Sequence, residues 1–220
     1  MIAGRDKAAI TAAEEQIGAD HVRPYGLPLD VRSSCAVNEA FALVLRELGP
    51  VSVLVNCAGV IARGPAEQYV DDDWVRVIDT DLTAVFWCSR AAAGHMFAGG
   101  GSIVNVGSVG GFVGIAGRVS YTAAKAGLSG LTRTLALEWA ARGIRVNTVA
   151  PGWTRTEMVA SGVQSGQLDE TALTRRIPQG RLAEPREIAE VVAFLASAQA
   201  SYLTGQVVTV DGGFSINGNA

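Results

Sequence analysis

Tyr121 and Lys125 stand four residues apart in Ser120-Tyr121-Thr122-Ala123-Ala124-Lys125, a stretch whose pattern predicts the opening of a helix. At that spacing both side chains leave the same helix face. A free phenol ionises near pH ~10 and exchanges protons poorly at neutral pH. A neighbouring ammonium favours the phenolate and brings proton transfer towards the working range. A tyrosine merely packed beside a helical lysine is the plain alternative. Thirteen residues earlier, Gly101-Ser102-Ile103-Val104-Asn105-Val106-Gly107-Ser108 reads as a buried strand ending in a serine. Open α/β sheets bind ligands beyond the carboxyl ends of their strands, so Ser108 falls where its hydroxyl could polarise a carbonyl oxygen. Taken alone, a serine there more often caps a turn.

Short β-branched runs alternate with longer helical patterns along the whole chain. Strands are predicted at Ile2–Ala3, within His21–Leu29, and at Val51–Asn56, Ser102–Gly107, Ile144–Ala150 and Gln206–Val210. Their near-continuous apolar character suits strands buried on both faces. Helices are predicted at Lys7–Ile17, Ser34–Leu48, Asp72–Phe97, Tyr121–Arg142 and Pro185–Ser197, the last opened by Pro185 and Glu187. This alternation predicts a parallel sheet wrapped by helices. Residues 154–181 are irregular and long for a connection, which suggests a lid. No repeat or low-complexity linker interrupts the 220 residues, so they are read as one domain, 1–220.

A net charge of −3 with no basic stretch argues against nucleic acid or an anionic membrane surface as partner. No apolar run approaches a membrane span and no signal peptide is seen, so a cytoplasmic setting is expected. The three cysteines, Cys35, Cys57 and Cys88, show no paired spacing and read as buried small hydrophobes. His21 and His95 have no partners at metal-ligand spacing, and no metal site is expected.

Further motifs extend the pattern. Val55-Asn56-Cys57-Ala58-Gly59 resembles the Asn-Asn-Ala-Gly turn of the short-chain dehydrogenase/reductase family, with Cys57 at the second Asn. Pro151-Gly152-Trp153-Thr154-Arg155-Thr156 resembles the segment that borders the nicotinamide there. Tyr202-Leu203-Thr204-Gly205-Gln206 through Val210-Asp211-Gly212-Gly213 resembles its C-terminal strand. With Ser108 and the Tyr121/Lys125 pair, the resemblance runs from about Ile2 to Phe214. It implies a Rossmann-like doubly wound parallel sheet and hydride transfer between a carbonyl and a secondary alcohol. Tyr121 would exchange the proton, Ser108 would orient the carbonyl, and Lys125 would act on Tyr121 and the cofactor ribose. The resemblance places the cofactor against Val31, Asn56, Ala58, Gly59, Pro151, Gly152, Thr154 and Thr156. Asp30 in Leu29-Asp30-Val31 resembles the acid that meets the adenine, although a solvated capping Asp reads nearly as well.

Two departures stand out. The family's fourth catalytic residue, an Asn at a helix distortion, is matched by Asp81 in Asp79-Thr80-Asp81-Leu82-Thr83. A buried carboxylate near Lys125 would offset the pull of the ammonium on Tyr121 and shift activity to higher pH. The resemblance also begins late: the family's first β-strand, glycine-rich turn and first helix, roughly 30 residues, have no counterpart here. The absent strand would lie between Ile2–Ala3 and Val51–Asn56. A start assigned too far downstream, a partial gene product, or a non-catalytic member acting as a binding or scaffold protein each accounts for this.

An acid at the end of the second strand favours NAD and an arginine accommodates a 2′-phosphate. Gly4-Arg5 therefore points to NADP over NAD. The C-terminal half most resembles 3-oxoacyl-carrier-protein reductases and sugar or polyol dehydrogenases. A β-keto thioester is the first expected substrate and a cyclic polyol the second, with Phe112 and Trp153 as apolar pocket walls. The predicted helices Asp72–Phe97 and Tyr121–Arg142 carry apolar residues beyond one core-facing stripe, and the resemblance implies a homotetramer paired through them.

Overall fold

The computed structural model describes residues 1–19 and 23–218. It shows an α/β fold in which every strand pairing among the described residues is parallel. The order is β1 (Ile2–Gly4), α1 (Lys7–Gly18), β2 (Gly26–Pro28), α2 (Ser34–Leu48), β3 (Val53–Asn56), α3 (Asp71–Ile78) and α4 (Ala84–Met96). It continues with β4 (Gly101–Val106), α5 (Val119–Trp139), β5 (Ile144–Pro151), α6 (Glu157–Gln164), α7 (Glu170–Arg175), α8 (Pro185–Ala196) and β6 (Val207–Val210). The strand expected within His21–Leu29 is β2; His21 itself lies outside the described residues.

Burial on both faces of β4 and β5 makes the fold doubly wound. Successive β4 side chains point to opposite faces. Ile103 joins Ile144 and Val146 against α2, α4 and α5, where Phe41, Ala92, Met96 and Leu135 are buried. Val104 joins Val149 against Ile188 and Leu195 of α8. The start of α8 is fixed by a capping box between Glu184 and Glu187, with Pro185 in its first turn, as its sequence predicts.

The sheet itself is divided. One part pairs β1 with β2, and the other runs β3-β4-β5-β6. Between β1 and β3 lies a cavity of about 480 Å³, lined by Ala3, Phe41, Val53 and Val55 among others. This is where the resemblance puts one further strand. It also corrects the expectation that every strand is buried on both faces: Val53 and Val55 of β3 are 44% and 41% exposed.

Residues 154–181 are only partly irregular: two helices lie within them, joined and flanked by turns. These helices are α6 and α7, and Asp169 starts α7 by accepting hydrogen bonds from Thr171 and Ala172 backbone N–H groups. The helix expected over Asp72–Phe97 is interrupted by a π-helical turn at Asp79–Thr83, which separates α3 from α4. Single-turn π segments of this kind gather at functional sites.

A polar chain ties the carboxyl ends of the strands to α4 and α5. The Asn56 amide donates to Asn105 Oδ1 (2.9 Å) and to Ser89 Oγ (3.1 Å). The Asn105 amide donates to Thr132 Oγ1 (3.0 Å), and that hydroxyl pairs with Thr148 Oγ1 (2.7 Å). Asn105, Ser89, Thr132 and Thr148 are all buried. Losing one member strands the others without solvent, which costs about 1–3 kcal/mol per orphaned group. Asn105→Ala is therefore expected to lower the unfolding free energy by about 2–4 kcal/mol in urea titrations. A variant as stable as the parent would show that the chain of hydrogen bonds does not hold the strand ends.

Candidate active site

Three strand ends, the π turn and α5 build the site. Beyond β3, β4 and β5 opens a cavity of about 580 Å³, mostly apolar in its lining. Ser108, Tyr121, Lys125 and Asp81 all face it. Ser108 follows β4 and caps a short 3-10 turn, accepting a hydrogen bond from Gly110 N–H at 3.0 Å. That leaves its hydroxyl proton free to donate into the cavity. Gly110 packs between Ser108 and the Tyr121 ring: a Cβ there would stand 3.3 Å from Ser108 Oγ and 3.5 Å from Tyr121 Cε1. Gly111 permits the same turn to press on α5, since a Cβ would come within 2.7 Å of the Lys125 carbonyl oxygen.

Lys125 is 6% exposed and Asp81 fully buried, and they form an ion pair at 3.2 Å. Lys125 Nζ also donates to the Val106 carbonyl at 3.0 Å, and Asp81 Oδ1 accepts from the Val60 N–H at 2.8 Å. Lys125 Nζ lies 5.5 Å from the Tyr121 ring centre. Burial pushes the Asp81 carboxyl above the usual aspartate range, while Lys125 and the Val60 N–H pull it back. The sign follows: the carboxylate persists above that raised value, and acid neutralises it before an ordinary aspartate would be neutralised.

The expected cofactor residues divide by place. Gly59, Tyr121, Lys125, Pro151, Gly152, Thr154 and Thr156 line the 580 Å³ cavity. Val31, Asn56 and Ala58 line the gap between the sheet parts instead, and Asn56 holds the strand ends together. Arg5 is exposed just past β1. Asp30 accepts from Arg32 Nη2 at 2.7 Å and from Arg32 Nε at 3.1 Å, which holds its carboxyl down at about 2. Of the expected apolar walls, Trp153 lines the cavity, while Phe112 does not and is 52% exposed. Of the three cysteines, Cys88 is buried, with its thiol pushed up to about 11 by burial, while Cys35 and Cys57 are exposed. Cys57 lies on the loop after β3 where the strand edge is uncovered. Arg63 and Arg118 also line the cavity and were not singled out by the motifs.

A mostly apolar slot beyond parallel strand ends, with a few convergent polar groups, fits a flat aromatic ring bearing a carboxamide. Pro151, Gly152, Thr154 and Thr156 form one wall of it. The site and fold together define an oxidoreductase of the NAD(P)-dependent dehydrogenase/reductase type. A family model described as enoyl-(acyl carrier protein) reductase matches residues 1–215, and the chain belongs to the short-chain dehydrogenase/reductase family.

Named relatives cover most of both chains. The 3-oxoacyl-(acyl-carrier-protein) reductase FabG of Vibrio cholerae is 38% identical over 220 residues, spanning 97% of this chain and 89% of that protein. A cis-4-hydroxycyclohexanecarboxylate dehydrogenase of Sinomonas cyclohexanicum is 41% identical over 219 residues, spanning 94% and 87%. The crystal structure of a gluconate 5-dehydrogenase from Burkholderia cenocepacia, in complex with NADP and tartrate, superposes with a TM-score of 0.92 at 30% identity, covering 98% of this chain and 84% of that one. Among the described residues no helix is long and apolar enough to cross a membrane.

Removing one partner of a buried ion pair leaves the other charge uncompensated, at a cost of about 3–5 kcal/mol. Asp81→Leu is expected to lose about that much stability, and Lys125→Met a comparable amount. The double variant should recover most of the loss, because no buried charge remains. Denaturant titrations of the three variants check this; simple additivity in the double variant would contradict the pairing.

Proposed function

We propose that this protein interconverts a carbonyl and a secondary alcohol with NADP(H) as hydride partner. The observation that carries this reading is the convergence of Ser108, Tyr121 and the buried Lys125 on one cavity at the strand ends. When bound, the nicotinamide supplies or takes up the hydride. Tyr121 gives its proton to the forming alkoxide, or takes one from the alcohol in reverse. Ser108 donates to the substrate oxygen, so that the developing charge meets a fixed donor. Lys125, held between Val106 and Asp81, presents its ammonium under the Tyr121 ring.

Asp81 is the positioning residue of this set. Its carboxylate anchors Lys125 but also offsets the positive charge felt by Tyr121. Both effects follow from the 3.2 Å pair. The 3-oxoacyl thioester and the cyclic polyol both bring a carbonyl or a secondary alcohol to these residues. A non-catalytic scaffold role finds no support among the relatives, whose names are those of oxidoreductases. Exposed Trp74, Val75, Phe86 and Leu137 on α3, α4 and α5 support assembly into a homotetramer through these helices.

Tyr121→Phe removes the proton path while keeping the ring. Turnover of NADP(H) with a secondary alcohol or ketone should fall about 10²- to 10⁴-fold, with the fold intact by circular dichroism. Undiminished turnover would remove Tyr121 from the mechanism. Asp81→Asn should move the pH–rate curve for alcohol oxidation to lower pH, because an unopposed ammonium favours ionisation of a neighbouring phenol. An unchanged curve would show that Asp81 does not act on the site's charge.

The preference for NADP rests on Arg5, exposed at the end of β1. Arg5→Ala should weaken NADPH binding on the order of tenfold, the value of one charge-assisted contact, and leave NADH binding alone. Fluorescence titration of both nucleotides measures it; equal losses would argue against a 2′-phosphate contact.

A further inference from the structure

The cavity carries more positive charge than the reaction requires. Its lining holds three cations, Arg63, Arg118 and Lys125, and one carboxylate, Asp81. Asp81 is committed to Lys125. Neither arginine meets a carboxylate among the described residues, although the structure has surface ion pairs elsewhere.

Arg118 is only 7% exposed, and its Nε finds no hydrogen-bond acceptor. Its guanidinium carbon lies 5.1 Å from the Trp153 ring centre. Arg63 donates through Nη2 to the Met158 carbonyl at 3.2 Å, and its buried Nε is likewise without a partner. Burial and the charge of Arg63 both work against ionisation of Arg118. A guanidinium does not give up its proton in a protein, and a buried unpaired charge costs several kcal/mol. Arg118, buried, and Arg63, half-buried on the same cavity, together offer several N–H donors to an oxyanion.

Resting on the proposed carbonyl–alcohol chemistry, we infer that the substrate carries a carboxylate, held by Arg118 and Arg63 while its carbonyl or hydroxyl carbon faces Tyr121 and Ser108. Arg118 immediately precedes α5, both it and Tyr121 line the one cavity, and its guanidinium is near enough to Tyr121 to interact with it electrostatically. The acid group therefore sits near the reacting carbon, as in a compact oxo acid and its hydroxy acid. Trp153 and Leu168 leave room for an apolar body.

The test compares 3-hydroxyhexanoate, its neutral methyl ester and its coenzyme A thioester with the full chain. Oxidation by NADP and calorimetric binding are both read. The parent should favour the free acid over the ester in kcat/KM by about ten- to hundredfold. Arg118→Gln and Arg63→Gln should each erase most of that preference and weaken binding of the acid, leaving the ester and NADPH affinities unchanged. Arg118→Lys, which keeps the charge, should retain part of it. Equal losses for acid and ester, or weakened NADPH binding, would overturn the inference and leave the arginines a structural or cofactor role. A preference for the thioester over the acid would overturn it in favour of an anion farther from the carbonyl. If no alcohol is oxidised but the acid still binds in an Arg118-dependent way, the proposed reaction fails while the anion site stands.

Discussion

The buried pair between Asp81 and Lys125 is the interaction on which the site depends. Four pieces of chain meet in it: the loop after β3 through Val60, the π turn through Asp81, the end of β4 through Val106, and α5 through Lys125. A lone buried ammonium would be expensive, and so would a lone buried carboxylate. Together they satisfy each other only in this geometry, so the pair fixes the rotation of α5 and with it the direction of Tyr121. The π turn is part of the same arrangement. It lets a helix turn that would otherwise close on itself present Asp81 to both a backbone N–H and an ammonium.

Much of the architecture was legible because the relevant signals are local. The β-branched run ending at Ser108, the four-residue spacing of Tyr121 and Lys125, and the opening of α8 at Pro185 each follow from periodicity or capping chemistry. The division of the sheet was legible only through the resemblance, since a gap between strands has no signature in the residues beside it. The π turn was hidden for a related reason. Asp79-Thr80-Asp81 reads as an ordinary polar stretch in a helix, and its distortion depends on partners 21 and 44 residues away.

The arginines show where reading from motifs stops. Arg63 and Arg118 sit in loops of unexceptional composition, and an arginine in a loop is ordinarily solvated. Their significance depends on what they lack. A carboxylate partner could come from anywhere in the chain, and only the folded arrangement shows that none reaches them among the described residues. The misplaced expectation for Phe112 has the same origin. A small, glycine-rich turn does suggest a pocket wall, but the turn closes on α5 through Gly111 and points Phe112 outward.

The divided sheet also separates two parts of the proposed chemistry. Ser108, Tyr121, Lys125, Asp81 and the arginine pair all rest on the β3–β6 sheet and the elements that connect its strands. Arg5 and Asp30 belong to the β1–β2 pair. No backbone hydrogen bonding joins β1 to β3. What joins the two parts is side-chain packing: Leu29 and the α2 residues Val37 and Phe41 are buried in one cluster with Cys88, Ala92 and Met96 of α4. Such packing is non-directional and yields to small shifts more readily than a strand ladder does. The proton-transfer and substrate-anchoring residues are therefore positioned by the β3–β6 sheet and its connections, whereas the place of Arg5 and Asp30 relative to them is set by the packing of Leu29 and α2 against α4.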